Sequence, residues 1–328
     1  MLHAMPRNFG WIGLGAMGYP MAAQLRRKLP ASSQLFIFDI DDSVLNRFTQ
    51  EMSGEWSVSV LRSAKEISEQ SVRRFTAAKV TLVQGSHVRE VYLNPEVGLL
   101  AAHDISGKIF VDCSTIDPST SLVIGEAVSS SAPLSTTPRF YDAPVSGGTA
   151  GASKASLTFM VGTPSTDPNF PLLKEVFSLM GTSIYALGGP SLGLAAKLSN
   201  NYLSGMIALA TAEAMNLGMR LGLDPKVLSD CIATSSGASW VNATMNPVPG
   251  VCPDAVTSRG YDGGFKVQLM KKDITLAMEA ARQVDAKLVL GDSGLSAYSA
   301  AAEDPRCRDK DSRVVYRWLG GIEPKGSD

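Results

Sequence analysis

Phe9-Gly10-Trp11-Ile12-Gly13-Leu14-Gly15-Ala16-Met17-Gly18-Tyr19-Pro20-Met21 holds a short apolar run, three glycines spaced G-x-G-x-x-G, and the start of a helical repeat. In that repeat Met17, Met21 and Leu25 fall four apart before Pro30. The glycine pattern by itself describes any tight turn. Set between a strand and a helix it describes a phosphate cradle, because the backbone can approach a pyrophosphate and the helix N-terminus offers unpaired N–H groups. A second apolar run, Leu35-Phe36-Ile37-Phe38, ends on Asp39. A carboxylate there accepts hydrogen bonds from an adenosine ribose and repels a 2′-phosphate. Ile40, Asp41 and Asp42 follow it, with no Arg, so NAD is expected over NADP. Gly13, Leu14, Gly15, Ala16, Met17, Gly18 and Asp39 are the candidate cofactor residues of this stretch.

Outward from the glycine turn, short apolar runs at 58–61, 79–83, 108–112, 140–145, 157–161 and 183–187 alternate with helical patterns at 63–70, 87–93, 118–131 and 168–180. That rhythm predicts an α/β Rossmann domain, a doubly wound and mostly parallel sheet. After Gly188-Gly189-Pro190 the strand signals stop. Helical patterns follow at 193–223, 225–233, 265–284, 293–303 and 313–318. The expected organisation is an NAD-binding domain at 1–190 and an all-helical domain at 191–328, consistent with a 328-residue chain that exceeds one core.

Composition excludes several classes. With 45% hydrophobic and 19% charged residues and a net charge of −1, the chain has neither the charge excess of disorder nor the basic bias that draws nucleic acid or anionic membranes. Four distant cysteines without a C-x-x-C pair suggest free thiols in a reducing compartment. Three histidines lack metal-ligand spacing, so no metal is expected. The few residues before Phe9 leave no room for a targeting peptide, which predicts a cytoplasmic protein.

The run 193–223, GLAAKLSNNYLSGMIALATAEAMNLGMRLGL, carries only Lys197, Glu213 and Arg220 as charges. A helix apolar almost all round demands burial on several sides, so it is expected at the seam of two domains. Ser204, Gly205, Thr211, Glu213 and Asn216 interrupt it before the ~20 apolar residues a membrane span needs. Lys197 and Asn201 lie four apart and share one face near its start.

Two loops could complete a site. Asp112-Cys113-Ser114-Thr115 ends a strand, where open α/β sheets present ligands. Ser114 and Thr115 can bond a nicotinamide ribose or the substrate, or can simply cap the helix from 118. In Asp142-Ala143-Pro144-Val145-Ser146-Gly147-Gly148-Thr149, the segment Ser146, Gly147 and Gly148 can present successive N–H groups to a carboxylate. It can equally be a loop that needs positive φ.

Together, 13–21, 112–118, 142–151, 193–201 and Gly264-Phe265 through Lys272-Asp273 resemble the β-hydroxyacid dehydrogenases, in order and spacing over nearly the whole chain. The resemblance implies oxidation of a short 3-hydroxy acid by NAD. It implies Lys197 as the catalytic lysine with Asn201 placing the substrate, Ser146, Gly147 and Gly148 as the carboxylate loop, and Phe265 and Lys272 as cofactor contacts. It further implies a homo-oligomer, dimer or tetramer, joined through the helical domain, and a mitochondrial location if the N-terminus is incomplete. Free lysine, with a pKa of about 10.4, is a poor base near neutrality, so burial and the nicotinamide cation are expected to depress it. A reductase of short semialdehydes or glyoxylate using NADPH is an alternative that Asp39 opposes. A catalytically weak NAD-binding regulatory protein is another; such a protein is expected to lose the lysine. One segment departs from the family: 71–88 reads SVRRFTAAKVTLVQGSHV, with Arg73 and Arg74 where a strand should begin, no Met-Leu-Pro ending, and Gln84 where its proline would fall.

Overall fold

The structure is a computed structural model that describes residues 8–54, 57–71, 84–132 and 136–323. The strand expected at 79–83 lies outside the described residues, as does most of the atypical segment 71–88. The chain divides into two compact units, Met1–Lys197 and Leu198–Asp328.

The first unit alternates strands and helices: β1 (Asn8–Ile12), α1 (Gly18–Lys28), β2 (Gln34–Phe38), α2 (Asp42–Glu51), β3 (Val58–Val60), α3 (Ala64–Gln70) and α4 (Gly85–Leu93). It continues with β4 (Ile109–Asp112), α5 (Pro118–Ser130), β5 (Arg139–Asp142), β6 (Val145–Ser146), α6 (Gly148–Ser153), β7 (Leu157–Val161), α7 (Phe170–Ser178) and β8 (Gly181–Ala186). Among the described strands, β1 pairs with β2, β2 with β3, β4 with β5 and β7 with β8, all parallel, and β6 with β7 is antiparallel. The mostly parallel, doubly wound reading therefore holds. Side-chain alternation shows that both faces are covered, as a parallel sheet requires. Phe9, Trp11, Ile109 and Val111 enter one apolar cluster, while Ile12 and Phe110 enter another with Tyr92 and Ile124.

Local chemistry sets the helix starts. Asp41 accepts from Ser43 N, Ser63 from Glu66 N, and Asp117 from Thr120 N with Pro118 in the first turn. The run expected as one strand at 140–145 is two, β5 and β6, broken at Pro144, which has no N–H to donate. Helices α2 and α6 had no counterpart among the expected elements; α2 hides Leu45 and Phe48 beneath an otherwise polar surface.

The second unit is helical. Helix α8 (Leu192–Arg220) begins in the first unit and continues here, followed by α9 (Pro225–Ala233), α10 (Trp240–Thr244), α11 (Val267–Gln283), α12 (Gly291–Glu303) and α13 (Val315–Trp318). Val267, Met270, Ile274, Tyr298, Val315 and Tyr316 make its core with Met206, Ala212 and Met215 of α8. Burying each large side chain of this kind contributes about 1.5–3 kcal/mol. Met206, Ala208, Ala212 and Met215 of α8 are buried, in keeping with a helix that needs cover on several sides, while Leu203 and Leu217 are 58% and 62% exposed. With exposed Ala210 between them they form a stripe of period seven. Such a stripe stays on one face of a helix. Among the described residues no helix is long and apolar enough to cross a membrane.

Candidate active site

The register of β1 on β2 places Ile12 opposite Phe38, so the glycine turn and Asp39 leave the sheet side by side. Gly13 N donates to Phe38 O at 2.9 Å, and Leu14 N donates to Asp39 Oδ2 at 2.5 Å. Asp39 Oδ1 accepts from Asp41 N at 2.9 Å. Asp39 thus fastens the turn as well as standing where a ribose acceptor is expected. The start of α1 lacks a side-chain cap at Met17, and no acid occupies its first turn. Nothing lies within 4 Å of where a Cβ on Gly15 would sit. A cavity of 460 Å³ opens there, lined by Leu14, Gly15, Ala16, Tyr19, Arg47 and Thr149 among others. An uncapped helix start, room beside the glycine and one guanidinium fit the pyrophosphate of NAD. Arg47, overlooked by the sequence reading, lies 4.4 Å from the Tyr19 ring centroid, and the Tyr19 hydroxyl donates to Glu51 at 2.6 Å. Burial, then the bond to Glu51, raises the Tyr19 phenol above its ordinary range, which keeps it a neutral donor.

The loop after β4 resolves one open choice. Helix α5 is capped by Asp117, whose Oδ1 accepts from Thr120 N at 2.7 Å, so neither Ser114 nor Thr115 is its cap. Ser114 is buried and donates its N–H to Asp112 Oδ1 at 2.9 Å; Thr115 is half-buried. After β6, Gly147 and Gly148 adopt φ of 129° and 62°, the left-handed region that a side chain disfavours. The turn therefore needs glycine at both positions, and α6 starts at Gly148. Thr149 and Ser153 of α6 line the same cavity as the glycine turn.

Lys197 is 8% exposed, and Asn201, one turn further along α8, is 6% exposed. In the second unit Asn201 Nδ2 donates to Asp273 Oδ2 at 2.5 Å, while Asn201 Oδ1 accepts from Asn200 Nδ2 at 3.2 Å. The Lys272 ammonium lies 2.9 Å from the other oxygen, Asp273 Oδ1, as an ion-pair contact without hydrogen-bond alignment. A single carboxylate, 1% exposed, therefore joins two residues that the sequence reading had kept apart. Phe265 is held likewise: its N–H donates to Asp311 Oδ2 at 2.9 Å, and Asp311 is in turn paired with Arg313 at 2.8 Å. Asp273 carried a legible signal, an acid on the buried Val267, Met270, Ile274 and Ala277 face of α11. Asp311 carried none. Among the described residues no group of three or more His, Cys, Asp or Glu could hold a metal.

Known proteins align with most of this chain. Residues 8–189 match the family described as the NAD binding domain of 6-phosphogluconate dehydrogenase, and residues 192–319 match "NAD-binding of NADP-dependent 3-hydroxyisobutyrate dehydrogenase". The chain is 36% identical to a 3-hydroxyisobutyrate dehydrogenase of Pseudomonas aeruginosa, over 90% of this chain and 92% of the relative. It is 38% identical to an NAD-dependent L-serine dehydrogenase of the same organism, over 89% and 91%. The solved 3-hydroxyisobutyrate dehydrogenase of Mycobacterium tuberculosis with L-serine superposes with a TM-score of 0.81 at 31% identity, covering 96% of this chain and 99% of that one. The chain belongs to the 3-hydroxyisobutyrate dehydrogenase family of β-hydroxyacid dehydrogenases and is an oxidoreductase that takes NAD.

Proposed function

We propose that the chain oxidises 3-hydroxyisobutyrate to methylmalonate semialdehyde, a step of valine breakdown, with Lys197 as the general acid/base. The observation that carries this reading is a lysine 8% exposed near the start of α8, a setting that keeps bulk water from the amine. Bound NAD supplies the hydride acceptor. Lys197 takes the hydroxyl proton as the carbinol carbon is oxidised, and returns a proton in the reverse direction. Asn201, its amide fixed between Asp273 and Asn200, holds the substrate oxygen in line. Backbone N–H groups of the Ser146, Gly147 and Gly148 loop take the carboxylate. Gly13 to Gly18 and Asp39 hold the adenosine diphosphate half; Ser114, Thr115, Phe265 and Lys272 complete the cofactor contacts.

L-serine is the second reading, favoured by the 38% identical relative named for it. The two substrates share the primary alcohol and the carboxylate, and differ by a methyl in place of an ammonium. A spectrophotometric panel of short 3-hydroxy acids and L-serine, each with NAD and NADP, separates them by kcat/KM. A preference for 3-hydroxyisobutyrate with NAD is expected; no NAD reduction with any member overturns the enzyme mechanism given above.

The stripe Leu203, Ala210, Leu217 supports self-association of the helical unit, with a second copy as the occupant, because exposed apolar residues aligned on one helix face are a usual mark of an interface. Light scattering is expected to give a dimer or tetramer that Leu203→Glu with Leu217→Glu dissociates. An unchanged mass for the double variant would remove this face from the assembly.

A further inference from the structure

Asp142 is the last residue of β5, 2% exposed, and no role follows for it from the cofactor or substrate loops. Its two carboxylate oxygens are divided between two backbone groups about fifty residues downstream. Oδ1 accepts from Ser191 N at 2.8 Å, and Oδ2 accepts from Leu194 N at 2.9 Å. Both donors belong to the start of α8, whose first residue is Leu192. Ser191 itself sits at φ 61°, an uncommon conformation for a residue with a side chain. Its hydroxyl donates to Pro118 O at 3.1 Å, which ties the same turn to the end of the Ser114-Thr115 loop.

The backbone around the carboxylate is built to let it in. A Cβ on Gly162 would lie 1.8 Å from Asp142 Oδ1, and a Cβ on Gly193 would lie 2.7 Å from Oδ2 and 2.2 Å from Met160 O. No side chain fits at either position without displacing the carboxylate or the helix. Burial raises the Asp142 pKa against the opposing effect of the N–H groups that bond it, so keeping a carboxylate there carries a desolvation cost. A merely space-filling position would be met more simply by an apolar side chain.

We propose that Asp142 is the positioning residue for Lys197: by clamping Ser191 N and Leu194 N between Gly162 and Gly193, it sets where α8 starts on the sheet edge and hence where its lysine stands. Lys197 follows Leu194 by three residues, on the turn immediately after the clamp. The inference rests on the reading of Lys197 as the acid/base, and the test separates the two. Three variants are compared, Asp142→Asn, Gly193→Ala and Lys197→Ala. Asp142→Asn keeps the shape but offers a donor where an acceptor is needed; Gly193→Ala keeps the carboxylate and pushes the helix off it. For each, kcat, KM, the NAD dissociation constant by calorimetry, and hydrogen exchange of the 189–198 peptide in the cofactor-free protein are measured.

Asp142→Asn and Gly193→Ala are each expected to lower kcat by about 10²-fold, the usual effect of an ångström-scale misplacement, with NAD affinity changed by less than about twofold. Exchange at 191–194 is expected to accelerate about tenfold in both, without cofactor present. Should one variant not fold, the other carries the same readings. Wild-type kcat in either variant, beside an inactive Lys197→Ala, overturns the positioning role and leaves Lys197 in place. A fall in kcat for Asp142→Asn with unchanged exchange also overturns it, since the carboxylate would then act without holding the helix. Full turnover by Lys197→Ala sinks the acid/base reading instead, and with it any positioning role for Asp142 toward that lysine.

Discussion

Two helix N-termini in the first unit are treated in opposite ways. The start of α1 has no side-chain cap and no acid in its first turn, and it opens on a 460 Å³ cavity. The start of α8 is filled by the chain's own Asp142 carboxylate at 2.8 and 2.9 Å. The electrostatics are the same in both places, since unpaired N–H groups and the positive end of a helix dipole favour an anion. Left open, they make a binding site for a phosphate. Filled from within, they fasten the start of the helix that carries Lys197.

Perturbations at the two ends should therefore differ in kind. The largest effect is expected at the presented side chain: Lys197→Ala lowers kcat by about 10²–10⁴-fold, as for loss of a general acid/base, while the NAD dissociation constant holds in calorimetry. Next comes Asp273→Asn, which loosens Asn201 and Lys272 together and should lower kcat/KM by roughly 10–10²-fold in steady-state assays. At the open end, Asp39→Ala removes both the acceptor for Leu14 N and the repulsion of a 2′-phosphate. Losing a charged hydrogen bond of about 1.5–3 kcal/mol predicts NAD binding weaker by tenfold or more, with the NADP to NAD ratio of kcat/KM rising. An unchanged ratio would remove Asp39 as the discriminator. Asp224, the exposed cap that accepts from Lys226 N and Val227 N, is an ordinary comparison. Asp224→Ala should cost about 1 kcal/mol in urea unfolding and leave kinetics unchanged, which sets the baseline for what a cap alone does.

The same contrast explains what could be read from the chain. The glycine turn was legible because its parts are contiguous and its periods switch from two to about four at Gly18. The starts of α3, α5 and α9 were legible for the same reason, each carrying its own Ser or Asp. The bonds that organise the site are not contiguous: Leu14 with Asp39, Asp142 with Ser191 and Leu194, Asn201 with Asp273, Phe265 with Asp311. A carboxylate accepts from any N–H that tertiary structure brings to it, so spacing does not foretell the partner. Asp39 was accordingly read only as a ribose ligand, and Asp142 only as the border of a loop. Which face of α8 stays exposed was not legible, because composition does not say which face meets a core; Leu203 and Leu217 read in sequence like Met206 and Met215.

At the centre stands the proposed proton transfer by the Lys197 amine. The direct measurement is turnover of Lys197→Ala with NAD and 3-hydroxyisobutyrate as small primary amines are added at fixed ionic strength. An almost inactive variant is expected, its kcat rising in proportion to the free-base amine concentration, with wild-type protein unaffected. Turnover near the wild-type rate without added amine would contradict it.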